Sequence, residues 1–533
     1  MDTTADSDPI RFLGREFVAY VAASDVATLD EVLRDPGHPH HPQVADALAR
    51  CQAILRQHGQ RIYEVVASVP PGRDASVGNA VRLASGGAIA GPPASDERLV
   101  RELSAIAQDV FPGLLLPPLL DFRWGTPTRT PSHRLLGVAV DSNAAADRFR
   151  DALDGDELSE LFAVESPPAF FSFSSGSGIA VEPSRLPHAL IGAAAARARL
   201  LEPTFELDAV IRQLRRLIAD LRQVQADGTL DLPVAASLHG LEVEGGVRIS
   251  LPWGWLRAMD AAASNAVGDI AAASNAVGDI MLEQGALLVT PIECRVSVSS
   301  AAATEERATP AIEAPSLERL RAFTHQLDER IQKTTLTLLM VETEPRLSAV
   351  PSTTVAITPF FGTGWSGGGA HGPTPLPGRA PRLTSAEVES VRSVASLVDD
   401  NYADALAIPT RRFASALSAR HDVEDGLVDA VVAWESLFAG TDAGELNFRI
   451  AAAMAWLIGE DAEKRLELQQ EISRLYASRS RILHRGRAAR DVSAERDRAV
   501  DLGLQALRAL LERRPALVDD ENRGKKLILA GSD

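Results

Sequence analysis

Near the C-terminus the chain reads Leu475-Tyr476-Ala477-Ser478-Arg479-Ser480-Arg481-Ile482-Leu483-His484. An imidazole exchanges protons near neutral pH, and a guanidinium fork matches the oxygens of a phosphate. Arg479 and His484 therefore supply the two functions that cleavage of a phosphodiester needs: proton transfer and charge stabilisation. From Ile472 to Arg490 there are six Arg and no acidic residue. On a helix, Ser480 and His484 are four apart and share a face, whereas Arg479 points about 140° away from His484. The two converge only if the long arginine bends round or a second subunit contributes its copy.

The elements that must position these groups are two amphipathic helices. In 424–438 the apolar stripe runs Leu427, Val428, Val431, Val432 and Phe438, and Glu435 falls on it. In 461–484 the stripe runs Leu468, Ile472, Leu475, Tyr476, Ile482 and Leu483, and Arg479 falls on that one. A buried charge without a partner is very costly, so the economical expectation is that Glu435 and Arg479 face each other. A purely structural ion pair satisfies the same spacing.

The ordered set Leu475-Tyr476-x-x-Arg479-Ser480-x-Ile482-x-His484-x-Gly486 resembles the signature of HEPN domains, specifically the Apea-like group. The preceding text agrees: Arg411-Arg412-Phe413 with Ala416-Leu417, Asp425-x-Leu427-Val428-Asp429, Val432-Ala433-Trp434-Glu435-Ser436-Leu437-Phe438, and Arg449. One departure is Arg485, which stands between His484 and Gly486. The likeness covers roughly 384–514. It implies a helical bundle that forms a homodimer through the motif helix and cleaves RNA without a metal or other cofactor. Carried over residue by residue, His484 is the acid/base, Arg479 stabilises charge on phosphorus, Ser480 is a polar neighbour and Glu435 orients Arg479. Tyr476, Arg481, Arg485 and Arg487 are the expected RNA-binding residues. Such proteins are often toxins or anti-phage effectors in which other regions sense a trigger, here a phage-derived or other protein. A non-catalytic HEPN module for dimerisation and RNA or protein binding is the alternative.

Other motif matches fail on context. Gly362-x-Gly364-x-x-Gly367 and Gly364-x-Ser366-x-Gly368 mimic a dinucleotide fingerprint and a nucleophile elbow, but both mechanisms need a helix to follow. Here Gly369-Ala370-His371-Gly372-Pro373 follows, which cannot start one. His38, His40 and His41 crowd a Pro-rich turn without acidic ligands at metal spacing, and Cys51 and Cys294 lack partner motifs. A hydrolase in the N-terminal region has no motif behind it.

The fold class expected is multidomain α+β: an α+β region over 1–228, a β-rich domain over 229–361, a Gly/Pro-rich linker over 362–382, the helical HEPN bundle over 383–517 and a polar tail over 518–533. Helices are predicted over 42–68, 95–110, 143–162, 205–224, 316–332, 424–438, 446–457, 461–484 and 493–514. Thr384 with Glu387 makes a capping box ahead of another. Strands are predicted near 135–140 and 169–173, and over 234–238, 241–243, 247–251, 287–290, 294–298, 335–341 and 353–358, with Glu244-Gly245-Gly246 as a hairpin turn. Ala261–Ile270 recurs as Ala271–Ile280, a single tandem copy rather than a solenoid, which needs three or more units.

The whole chain of 533 residues carries 54 Lys+Arg and 72 Asp+Glu, a net charge of −18, with 45% hydrophobic residues. That balance excludes a general nucleic-acid coat protein, because phosphate binding needs a basic footprint. From Arg382 on there are 22 Lys+Arg and 26 Asp+Glu, so −14 of the −18 precedes it and Ile472–Arg490 is a basic island. No apolar run reaches the roughly 20 residues a membrane span needs, and the acidic N-terminus has no apolar signal region. With only two cysteines as well, a cytoplasmic protein is expected.

Overall fold

A computed structural model describes residues 9–89, 91, 95, 97–123, 126–130, 135–162, 168–260, 263–264, 266–267, 285–300, 317–360, 366–368, 380–418, 422–440, 445–485 and 492–529. The architecture is mixed α and β, mainly helical, with an antiparallel sheet and a C-terminal helical region. The chain opens with α1 (Pro9–Leu13), α2 (Arg15–Val21), α3 (Val26–Arg34), α4 (His41–His58), α5 (Ile62–Ala67), α6 (Val77–Ala84) and α7 (Arg98–Leu114). The β1–β2 hairpin (Leu119–Arg123, Thr126–Thr130) leads into α8 (Gly137–Asp141), α9 (Ala144–Asp154) and α10 (Ser159–Phe162). The strand predicted at 135–140 is thus mostly helix. A five- or six-residue apolar run carries too little periodicity to separate the two.

The antiparallel hairpin β3 (Ala169–Phe173) and β4 (Gly178–Val181) precedes α11 (Leu186–Leu201) and α12 (Leu207–Asp227). Gly228, in the left-handed region at φ 65°, ends α12 and turns the chain into β5 (Thr229–His239). Then come β6 (Glu242–Val243), β7 (Arg248–Leu251), β8 (Gly254–Ala258) and the fifteen-residue β9 (Ala286–Ser300). The sheet runs β11–β10–β5–β9–β3–β4, where β10 is Val350–Ala356 and β11 is Ser366–Gly368. One edge of β9 pairs with β5 along 286–295; its other edge pairs first with β8 and then with β3. The sheet therefore crosses the boundary expected at 228. Part of the expected 362–382 linker adds an edge strand, β11, and the rest of it up to 379 lies outside the described residues.

Both faces of the central strands are covered, which is why β5 and β9 read as nearly continuous apolar runs. Ala235, Leu287, Val289 and Val355 pack with Ala196, Leu200 and Leu201 of α11 and with Ala263, Ala266 and Val267. The alternate residues Ala236, Leu238 and Leu288 join the main core, as do Leu336 and Leu338 of α13 (Leu317–Met340). The run 335–341, predicted as strand, is the end of α13 up to Met340. Thr334 just before the run and Thr337 within it satisfy their hydroxyls on the carbonyls of Arg330 and Lys333 at 2.8 Å, which lets β-branched residues sit in a helix. The Glu244–Gly246 turn forms, with Val247 N–H on Glu244 O at 3.1 Å. Its flanking strands do not pair with each other: β6 pairs in parallel with β12 (Arg382–Leu383), and β7 pairs with β8. Most of the tandem repeat lies outside the described residues.

The helical region comprises α14 (Val388–Asn401), α15 (Ala407–Ser418), α16 (Val423–Phe438), α17 (Leu446–Ile458), α18 (Ala462–Arg485), α19 (Ser493–Arg513) and α20 (Arg523–Leu529). The capping box forms: Thr384 N–H bonds Glu387 Oε2 at 2.8 Å, and the Thr384 hydroxyl accepts from Ala386 N–H. Trp434 and Phe413 lie fully buried at the centre, with Trp434 Nε1 donating to Ala499 O at 3.2 Å. Where composition predicts a polar tail from 518, α20 packs back on the bundle with Gly524 and Leu527 buried. Arg523, also buried, donates to Leu437 O at 3.2 Å. A seven-residue helix with two lysines has too few apolar positions to signal docking by pattern alone.

Candidate active site

Two helices build the site. α16 begins at Asp422, whose carboxylate accepts from Glu424 N–H at 2.9 Å, and it buries Leu427, Ala430, Val431, Trp434 and Leu437. Asp461 starts α18 in the same way, accepting from Lys464 N–H at 2.7 Å. α18 lies against both α17 and α16, burying Leu468, Ile472, Leu475 and Ile482. Arg498 of α19 clamps it with two 2.9 Å bonds to the carboxylate of Glu471.

Across this contact Arg479 Nη2 donates to Glu435 Oε2 at 3.3 Å, and the Tyr476 hydroxyl donates to Glu435 Oε1 at 2.6 Å. The pairing expected from the two stripes is present. Its setting differs from the expectation: the Glu435 and Arg479 side chains are 21% and 20% exposed, so the pair lies on the flank of the helix contact, not at its centre. Leu483, expected on the buried stripe, is 54% exposed. Arg479 Nε is buried and donates to no acceptor among the described residues.

Tyr476 is placed beside the arginine, its ring centroid 5.8 Å from Arg479 Cζ. Burial, followed by its bond to Glu435, pushes its pKa up to about 12, so it remains a donor at any physiological pH. In the structure it holds the carboxylate; the sequence reading expects it to contact RNA. The tyrosine sits three residues before Arg479, a spacing that places both on one helix face.

Ser480 is half-buried on the same helix. Arg481 is exposed but folds back on its own helix, donating to Ser478 Oγ at 2.7 Å and to Ala477 O at 3.3 Å. His484 and Arg485 close α18 in backbone. Their side chains, and all of Arg487, lie outside the described residues.

One acid that the sequence reading quoted in the resemblance but gave no role is buried. Asp429, 2% exposed, accepts from Arg412 Nη1 at 2.8 Å and from Ser415 Oγ at 2.7 Å, tying α15 to α16. An aspartate inside an otherwise apolar helix face was the available signal.

Among the described residues no group of three or more His, Cys, Asp or Glu is placed to hold a metal ion, and no helix is long and apolar enough to cross a membrane. A cleft of about 1070 Å³ between residues 342–346 and α19 is lined by none of Glu435, Tyr476, Arg479 or Ser480. No protein-family model, curated protein or solved structure matches the chain.

Proposed function

We propose that the chain is an endoribonuclease of the HEPN type, acting without a metal as a homodimer in the cytoplasm. The observation that carries this reading is the Tyr476–Glu435–Arg479 chain of hydrogen bonds between α16 and α18, the helix whose last turn carries His484. A carboxylate fixed by a tyrosine holds the guanidinium by Nη2, and with Nε buried it is Nη1 that is left for a phosphate. His484 would assist attack of the ribose 2′-hydroxyl on the adjacent phosphorus and return a proton to the leaving 5′-oxygen, leaving 2′,3′-cyclic phosphate and 5′-hydroxyl ends. Arg479 would stabilise the charge that develops on the phosphoryl oxygens, with Ser480 as its polar neighbour. The sheet-bearing regions would sense a trigger, in keeping with a toxin or anti-phage effector.

A second reading rests on the same geometry, since a half-buried Glu–Arg pair also serves as a plain structural contact in a non-catalytic dimerisation and RNA- or protein-binding module. Incubating the full chain and its His484→Ala variant with total RNA in EDTA separates them. Cleavage by the wild type alone, with cyclic-phosphate ends, supports the enzyme. RNA binding and dimerisation equal in both proteins, without cleavage, supports the module.

A further inference from the structure

Far along the chain from the candidate active site, β7 and β8 place two arginines directly opposite each other: Arg248 and Arg257 are cross-strand partners in an antiparallel pair. Like charges in that position destabilise a sheet. Two more arginines join them from α12. Arg212 and Arg216 share the single carboxylate of Glu202, at 3.0 and 3.5 Å, and Gln213 also donates to it at 2.6 Å. Arg216 and Arg257 both lie near enough to Arg248 to disfavour its charge, beyond the larger effect of desolvation.

Part of this charge has a structural use. Arg257 Nη1 donates to Arg199 O, Leu200 O and Glu202 O, and Arg248 Nη1 to Leu201 O, so both cap the C-terminal end of α11. Arg257 also pairs with Asp260. Capping consumes Arg257 but only one nitrogen of Arg248, whose guanidinium lies 4.4 Å from the Trp255 ring centroid. Arg212 and Arg216 cap nothing and stand 47% and 60% exposed. Among the described residues the ion pairs of these four guanidinium groups thus go to two carboxylates, Glu202 and Asp260, on the part of the chain that holds most of its negative charge.

We infer that Arg212, Arg216 and Arg248 form a binding site for a multiply charged phosphate ligand. The chemistry is specific: arginine forks match phosphate oxygens, several converging cations favour more than one negative charge, and a guanidinium pre-stacked on an indole loses little freedom on binding. The two sources of that chemistry are a free polyphosphate and the backbone of a single RNA strand. The inference does not depend on the ribonuclease reading, because none of its residues belongs to the Glu435–Arg479 site.

Calorimetric titration of the full-length protein with inorganic tripolyphosphate, and separately with a short single-stranded RNA, tests it. Tripolyphosphate is expected to bind saturably, and Arg216→Gln to weaken it about tenfold, the effect of losing one charge-assisted contact. Arg248→Lys, which keeps the charge and the strand but loses the fork and the stack, should weaken it as well. If the RNA strand is the source, the RNA binds with the same Arg216 dependence, weakens steeply with salt and is displaced by tripolyphosphate. If the source is free polyphosphate, RNA affinity is the same in wild type and Arg216→Gln. The inference is overturned if tripolyphosphate shows no saturable binding up to millimolar concentration, or binds wild type, Arg216→Gln and Arg248→Lys equally.

Discussion

The Tyr476 hydroxyl donates to Glu435 Oε1 at 2.6 Å while Arg479, one turn further along the same helix, donates to Oε2. The carboxylate is thus held at both oxygens by α18, and the arginine is oriented by a group that is itself oriented. Losing Tyr476 frees one oxygen, and losing Arg479 leaves the carboxylate still bonded to tyrosine. Tyr476→Phe should cost about 1 kcal/mol of stability. On the ribonuclease reading it should lower kcat more than it raises KM, because a mobile Arg479 stabilises the transition state less well. Urea unfolding with steady-state cleavage assays reads both, and an unchanged kcat would remove Tyr476 from any positioning role.

Arg479→Ala tests the pair from the other side. The Glu435 side chain is only 21% exposed, so its negative charge loses compensation when the arginine goes. Because Tyr476 remains bonded to it, the expected cost is about 1–2 kcal/mol, short of the figure for a fully buried pair. A thermal melt identical to wild type would show that the pair adds no stability.

Ionisation of the tyrosines gives a test that needs no substrate. The chain has four, and burial raises the pKa of each: Tyr63, Tyr402 and Tyr476 to about 12, and Tyr20 in the same direction. In the unfolded chain they titrate near the ordinary value of about 10. Between pH 10 and 12 the unfolded state has released protons that the native state still holds. Stability is therefore complete below pH 10 and falls as pH rises through that window. Phenolate absorbance of the native protein should stay flat past pH 10, then rise together with loss of ellipticity. A step of phenolate absorbance at pH 10 in the folded protein would contradict the burial of these rings.

The helical region was legible because its signals are local. The periodic stripes of 424–438 and 461–484 and the Thr384/Glu387 box lie within one or two turns of the residues they order. In the sheet, β3, β5, β7, β9 and β10 were legible at least in part, whereas β4, β8 and β11 were not; the pairing was hidden because β3 meets β9 more than a hundred residues later through contacts that leave no mark in the spacing. Thr335 and Thr337 read as strand because β-branching is a weak guide beside a helix already running into them. At the site, the opposed charges on two apolar stripes announced the Glu435–Arg479 pair. The part played by Tyr476 was hidden, since its pattern is that of any core-facing aromatic.

Gly503 of α19 has a packing role that Ala cannot fill. A Cβ added there would lie 2.5 Å from Phe413 Cζ and 2.6 Å from Trp434 Nε1, both at the fully buried centre of the bundle. Neither ring can withdraw without opening the core, and the indole would lose its bond to Ala499 O. Gly503→Ala should destabilise the bundle by about 1–3 kcal/mol despite the better helix propensity of alanine. Near-ultraviolet circular dichroism and a urea titration check it, and a gain in stability would show that the centre is looser than these distances.

Lys333 joins the sheet-bearing part of the chain to the helical bundle. It sits in α13 with its side chain 9% exposed, and its ammonium meets Glu329 at 2.8 Å and Asp399 of α14 at 2.9 Å. Trp253 and Tyr402 flank it, their ring centroids 5.8 and 5.6 Å away, and Trp253 Nε1 bonds the adjacent Thr334 Oγ1 at 2.9 Å. Lys333→Met would keep the packing of the stem and remove only the charge, leaving two carboxylates facing each other. Because Glu329 and Asp399 are each about a third exposed, the loss should be about 1–3 kcal/mol, with protease cleavage appearing first around α13 and α14. Adding Asp399→Leu to Lys333→Met removes the like-charge contact and should recover much of that loss. A double variant no more stable than Lys333→Met would place the effect in the ammonium–aromatic contacts and not in the ion pair.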